Sequence, residues 1–271
     1  MASDRQHRIY RHPATPWAEL RVSVNAHDCY RAHAHAEYSV GIVDGGCATF
    51  HHPSGPQQVR AGSVVLIEPD VLHSCNPLSG QIWSYRMLFI EADWLHNEVA
   101  RIWGLATPPD GLELMSRCIE DPAIALLVDQ LCQPVTSEAA ANALTMDLPR
   151  WIASQTRAGK PKDWAHAPSE LMPAMVAMRT EREKRITVKE LAEACGISST
   201  QFIRRFQAAL GMTPGCYLQN LRINGARRLL SQGIALADAA HTMGFSDQAH
   251  MQRAFKAHHA MTPGDYRNGH S

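Results

Sequence analysis

The last third of this 271-residue chain contains an internal duplication, and nothing else in the sequence restricts the fold as much. The segment ITVKELAEACGISSTQFIRRFQAALGMTPGCYL begins at Ile186. The segment IALADAAHTMGFSDQAHMQRAFKAHHAMTPGDYR answers it from Ile234. Ile186 and Ile234, Gly196 and Gly244, and Ser198 and Ser246 stand 48 positions apart. Phe206 and Phe255, and the Met-Thr-Pro-Gly tetrads at Met212 and Met261, stand 49 apart, so one residue has been inserted between the two sets. Self-similarity at a fixed period marks a repeated supersecondary unit.

Each copy reads as helix, tight turn, helix. In the first, Val188, Leu191, Ala192 and Cys195 form a small apolar face. Gly196 follows, where a helix end commonly needs positive φ, and Ser198 then stands at an N-cap. Phe202 and Phe206, four apart, pack inward and leave Ser199, Thr200, Ile203 and Arg204 nearer the outer face. In the second copy Gly244 and Ser246 take the same parts, and Met251 and Phe255 pack inward. Gln248, Ala249, His250 and Arg253 lie outside or between them, beside Asp247 and Gln252. This is the helix-turn-helix plan, over about 186–207 and 234–257, whose second helix enters the major groove of double-stranded DNA. A plain helical bundle with surface arginines is the competing reading. Against it, both copies keep the same turn residues and set an Arg two before the second aromatic. Arginine binds guanine bidentately, and glutamine suits adenine.

Charge agrees with this division. Net charge is zero, but residues 1–167 hold 13 Lys+Arg against 18 Asp+Glu, and residues 168–271 hold 13 against 8. The basic half has the sign that suits a polyanion. The segment AGKPKDWAHAP, 158–168, has two prolines and a glycine and reads as a linker.

The first 95 residues read as β structure, with short apolar runs between turn signals. His33 to Val43 alternates up to Asp44-Gly45-Gly46, Cys47 to His52 follows, Ser63 to Ile67 ends at Pro69, and Gln81 to Ile90 is a further strand. Many short strands at close spacing predict an antiparallel sandwich or barrel. On a strand, His33, His35 and Glu37 share one face. With His73 they make a candidate effector site, able to ligate one divalent metal (zinc or similar) or to hydrogen-bond a polar ligand. Structural histidines are the remaining reading.

Residues 96–157 read as helical. Ile124, Leu127, Val128 and Leu131 form an apolar stripe, and Ser137-Glu-Ala-Ala-Ala-Asn-Ala-Leu continues with strong helix formers. These helices pack on the barrel or pair with a second copy as a homodimer. Seven cysteines, widely spaced and without a C-x-x-C pair, fit reduced thiols. No run of about 18 apolar residues and no signal stretch appear, which predicts a cytoplasmic protein with no membrane partner.

Two resemblances sharpen these readings. The H-x-H of His33 and His35, the G-x6-P turn from Gly62 to Pro69 and the later His73 resemble the cupin barrel over about residues 15–95. Residues 169–271 resemble the DNA-binding domain of AraC-family transcription regulators. The motifs are A-x3-G-I-S-x3-F-x-R-x-F, then M-G-F-S-D-Q-x2-M-x-R-x-F, then T-P-x2-Y-R. The resemblance implies an α+β chain: a cupin-like effector barrel over 1–95, a helical region and candidate dimerisation region over 96–157, and two helix-turn-helix units joined by a helix near 214–230. It implies two reading helices about 34 Å apart on one DNA face, with Arg204 and Arg253 toward the groove. Arg205, Arg222, Arg227, Arg228 and Lys256 become phosphate contacts or surface charge, and RNA polymerase becomes a further partner. The function implied is a sequence-specific regulator responding to a small-molecule or metal effector, without enzymatic activity. The alternative is a metal-dependent cupin enzyme with an accessory DNA-binding tail.

Overall fold

A computed structural model of the chain describes residues 6–159 and 168–269. They divide into two compact units. Residues 6–30, 34–159 and 269 form one, and residues 31–33 and 168–268 form the other.

The N-terminal unit opens with eight strands: β1 (His7–Tyr10), β2 (Ala18–Ala26), β3 (Tyr38–Gly45), β4 (Cys47–His52), β5 (Gly55–Arg60), β6 (Val64–Ile67), β7 (Ser74–Pro77) and β8 (Trp83–Ile90). Then come α1 (Ala92–Trp103), β9 (Gly111–Leu114), β10 (Cys118–Ile119), α2 (Pro122–Leu131), α3 (Glu138–Gln155) and β11 (Thr156–Gly159). All pairings are antiparallel. One sheet runs β1-β2-β8-β3-β6-β10, a second runs β5-β4-β7, and β9 pairs with β11. The β-rich unit followed by a helical one is the α+β architecture read from the sequence. Among the described residues, however, the strands form separate sheets and not one closed barrel.

Register explains the packing. Leu20 and Val40 both stand opposite Leu88, and Val40 stands opposite Leu66. These side chains share one face of the six-stranded sheet and join a core with Leu95, Val99, Val128, Leu148 and Ile152 from the three helices. Each such aliphatic side chain stabilises the fold by about 1.5–3 kcal/mol on burial. Asp121 caps α2 by accepting from Ala123 N–H (2.8 Å) and Ile124 N–H (3.2 Å), with Pro122 in the first turn. Ser137 caps α3.

Three expectations change here. The strand predicted from His33 starts at Tyr38. Residues 34–37 leave the ladder because other bonds hold their backbone: Asp70 N–H donates to His35 O (2.7 Å), and Glu37 O accepts from the His35 ring (3.0 Å). Tyr38 to Val43 are all buried, so this strand does not alternate. The stretch 96–157 is not wholly helical either. Leu112 and Leu114 of β9 turn into the core, and β10 extends the large sheet along β6. Of the predicted linker, Ala158 and Gly159 lie in β11, while residues 160–167 lie outside the described residues.

The C-terminal unit carries a short 3-10 turn at Ser169–Leu171 and then seven helices. They are α4 (Met172–Thr180), α5 (Val188–Ala194), α6 (Ser199–Leu210), α7 (Pro214–Ser231), α8 (Leu236–Thr242), α9 (Gln248–His259) and α10 (Pro263–Arg267). Thr187 with Glu190, and Ser198 with Gln201, form capping boxes at α5 and α6. Phe202 and Phe206 are fully buried against Leu171, Met175, Met178, Leu191 and Tyr217. In the second copy Met251 and Phe255 are fully buried, and the Phe255 ring lies 5.5 Å from Tyr266.

Both turns use a left-handed glycine, Gly196 at φ +66° and Gly244 at φ +69°. The cap of α9 is Asp247, not Ser246. Its carboxylate accepts from His250 N–H at 2.6 Å, a stronger acceptor than the neighbouring hydroxyl, which itself donates to Asp247. The extra residue of the second copy therefore lies in the turn, and α6 and α9 align at an offset of 49 throughout.

These glycines predict a graded effect. Gly196→Ala introduces only positive-φ strain, since no atom lies within 4 Å of its added Cβ, and should cost about 1–2 kcal/mol. At Gly244 the added Cβ lies 2.1 Å from the Glu183 carbonyl oxygen, so Gly244→Ala should cost measurably more. Denaturant unfolding of the two variants checks the order.

Candidate nucleic-acid interface and effector site

At 3.6 residues per turn, burying Phe202 and Phe206 turns Thr200, Ile203, Arg204 and Gln207 away from the core. Thr200, Arg204 and Gln207 are exposed, Ile203 is 38% exposed, and Ser199 is half-buried in the first turn. On α9 the same stripe is Gln248, Ala249, Gln252, Arg253 and Lys256, all exposed. His250 differs. It is half-buried, its Nδ1 lies 3.1 Å from Ser246 Oγ, and its ring meets Phe245 edge-on at 5.3 Å. It stands where α6 has Gln201, whose side chain closes the capping box.

The secondary basic residues separate as well. Arg222 is structural, donating through Nε to Arg182 O and through Nη2 to Lys184 O, each at 2.6 Å. Arg227 is 7% exposed, which corrects its reading as a phosphate contact or surface charge. Arg227 lies on the inward face of α7 with Ile223, Ala226 and Leu230, whereas Arg222 is taken up by the loop after α4. Arg205 pairs with Glu170 at 2.7 Å, while Arg228 and Lys256 are exposed.

In the N-terminal unit His35 is almost fully buried. Its Nδ1–H donates to Glu37 O, its Nε2 accepts from Ser39 Oγ (3.3 Å), and its ring meets His73 at 4.9 Å and Phe89 at 5.3 Å, both edge-on. The Glu37 carboxylate lies 3.7 Å from His35 Nδ1. His73 is buried and donates Nδ1–H to Val71 O at 2.8 Å. Burial pushes its pKa down to about 4, so it is neutral at pH 7. His33 belongs to the segment grouped with the C-terminal unit, where it is half-buried and donates Nδ1–H to Arg31 O at 2.8 Å. All three imidazoles thus turn Nδ1 to a backbone carbonyl. That bond fixes the tautomer and leaves Nε2 as the lone-pair atom, as a metal-ligating histidine requires.

The sequence reading missed three further groups here. His52 Nε2 lies 3.7 Å from Glu68 Oε2, and Glu68 Oε1 accepts from Arg117 Nη2 at 2.6 Å. The His52 and Glu68 side chains are only 6% and 5% exposed, and both influence the charge state of His73. Only the Glu68-Pro69 step beside the recognised turn could have signalled them. A separate cleft of about 290 Å3, open to solvent and lined by Tyr10, Arg11, His12, Leu20 and Leu144 among others, holds none of the predicted residues.

A second buried network lies on the face of β2 opposite Leu20. Arg21 donates to Tyr30 Oη (2.7 Å) and to Ser23 Oγ (3.3 Å). His7 Nδ1 lies 2.9 Å from Ser23 Oγ. Burial first, and then the charge of Arg21, push His7 down to about 4. The unfolded chain binds this proton near pH 6.5 and the folded chain does not. Full stability is therefore present above pH 6.5 and falls as pH drops toward 4, by up to about 3 kcal/mol. His7→Gln should flatten the acid limb of a urea-unfolding series against pH.

A capped pair of helix-turn-helix units, in one chain with a histidine-bearing β unit, is the build of a ligand-binding DNA regulator. Comparison with known proteins agrees. Residues 7–151 match the AraC-like ligand binding domain, and residues 191–269 match a helix-turn-helix domain. The chain belongs to the AraC family: it is a DNA-binding transcription regulator with an N-terminal ligand-binding domain. It is 27% identical over 226 residues to the uncharacterised HTH-type transcriptional regulator YbfI of Bacillus subtilis, covering 81% of this chain and 80% of that one. It is 22% identical over 233 residues to the lactose operon transcription activator of Staphylococcus xylosus, covering 84% and 82%. In fold it is similar to apo ToxT of Vibrio cholerae, with a TM-score of 0.59, 13% identity and coverage of 93% and 97%.

Proposed function

We propose that the chain reads a specific operator through Arg204 and Arg253, and that an effector bound near His35 and His73 sets how it does so. The observation carrying this reading is the pair of equivalent exposed arginines, 49 apart on helices whose starts are fixed by caps. Thr200, Ser199, Gln248 and Ala249 flank them, and Arg228 and Lys256 suit phosphate. The domains in this reading are an effector unit over 1–95, helices over 96–157 and the DNA-binding unit over 169–271. Leu126 and Met146, exposed on α2 and α3, support a homodimer through that helical stretch. RNA polymerase is the further partner and the cytoplasm the place of action. No helix among the described residues is long and apolar enough to cross a membrane.

The effector is a small molecule or a metal. The shared Nδ1 bonding of His35 and His73 supports a metal, and the Ser39 hydroxyl already on His35 Nε2 supports an organic ligand. The reading involves no turnover.

Arg204→Ala and Arg253→Ala should each cost about 1–3 kcal/mol on the specific operator and relax one position of it. Equal losses on every sequence in competition binding would assign them to phosphate instead. His73→Ala should abolish the effector-dependent change in operator binding and leave binding to bulk DNA intact. Metal analysis of the untagged protein, paired with that variant, separates the two effector types. A variant that still responds would remove His73 from the site.

A further inference from the structure

The two reading helices share an Arg and a buried Phe at an offset of 49, but the turns before them differ. The stretch between α5 and α6 is 195–198, and that between α8 and α9 is 243–247. Counting from the caps Ser198 and Asp247, the third helical residue is Gln201 in one copy and His250 in the other. Both are held back toward their own turns. Gln201 bonds to Ser198 N–H (3.2 Å), and His250 is held by Ser246 and Phe245. The fifth and sixth residues, Ile203 with Arg204 and Gln252 with Arg253, stand exposed on the outer stripe.

We infer that Ile203 and Gln252 make the base beside each guanine differ between the two half-sites, and that His250 takes no part in base reading. This rests on the reading of Arg204 and Arg253 given above. Isoleucine has no hydrogen-bonding atom, so in the major groove it can favour only the thymine methyl. Glutamine offers a donor and an acceptor together and pairs bidentately with adenine N6 and N7. Each Arg selects guanine. The half-site under α6 therefore carries thymine beside its guanine, and the half-site under α9 carries adenine beside its guanine. The operator is asymmetric even though the protein motif is duplicated.

The test is selection of binding sites from randomised duplex DNA by the full-length chain, repeated with variants of these exposed positions. The halves are assigned by which one relaxes in Arg204→Ala and which in Arg253→Ala. Ile203→Gln should move the neighbouring preference in the first half from thymine to adenine. Gln252→Ile should weaken the adenine preference in the second by about tenfold or more. His250→Gln, which copies the residue of the first repeat, should return the wild-type motif. Circular dichroism melting confirms that the variants are folded. A motif that responds to Arg253→Ala but not to Gln252→Ile, or that changes with His250→Gln, overturns this inference alone. DNA binding with no enriched motif overturns the reading of the two arginines, and this inference with it.

Discussion

The C-terminal unit depends on one backbone constraint, a left-handed residue between two short helices. Helices of seven residues such as α5 and α8 are too short to persist alone in water. They hold because their successors fold back over them, and that return needs φ near +66° to +69°, where a side chain is strained. The constraint is stricter at Gly244, where the Glu183 carbonyl occupies the place of a Cβ. The loop after α4, itself pinned by Arg222, therefore packs against the second turn. An arginine that looks in sequence like a DNA contact instead braces the joint that aims α9.

The N-terminal unit meets a different demand. Its large sheet is covered by helices on one face, and its strands β3 and β6 are buried on both. Polar side chains on the other face must find partners or become neutral. His73 and His7 become neutral, and each keeps a bond to a fixed acceptor or hydroxyl. Glu68 stays beside Arg117, and Arg21 stays among Ser23, Tyr30 and Tyr85. Neutral imidazole can then serve as acceptor or ligand at pH 7 without first shedding a proton. The same burial therefore lowers stability in acid and keeps these imidazoles neutral at pH 7.

Repetition and turn chemistry were the most legible parts of the sequence. Gly196, Ser198 and the two buried Phe of α6 follow from local rules, because a cap and an i, i+4 pair involve neighbours in the chain. Strands β4 and β8 lie where apolar runs between turns placed them. What local pattern could not show is non-local. Strand β10 exists because β6 offers a free edge to a segment more than fifty residues later. His52 and Arg117 reach Glu68 only through the folded sheet arrangement. The repeat offset points to Ser246 as the cap of α9, but Ser246 and Asp247 both cap well, and only the carboxylate's bond to His250 N–H decides for Asp247. The segment before Tyr38 alternates like a strand but is held by a backbone bond from Asp70 and a ring-to-backbone bond within it, which no periodicity reports.

Duplication and asymmetry have different physical origins here. Stability acts on the buried face, and there the copies agree: small apolar residues on the first helix, a glycine turn and a deeply buried Phe. Groove chemistry acts on the outer stripe, and there they part, Thr200 and Ile203 against Ala249 and Gln252. A dimer of identical motifs reads identical half-sites and fixes no direction along DNA. Two unlike reading helices in one chain fix both position and direction. Leaving an apolar Ile203 partly exposed beside Arg204 is ordinary for a single surface residue. On a stripe otherwise free of large apolar groups, it is also the one position where the proposed half-sites would meet an apolar side chain on one helix and the polar amide of Gln252 on the other.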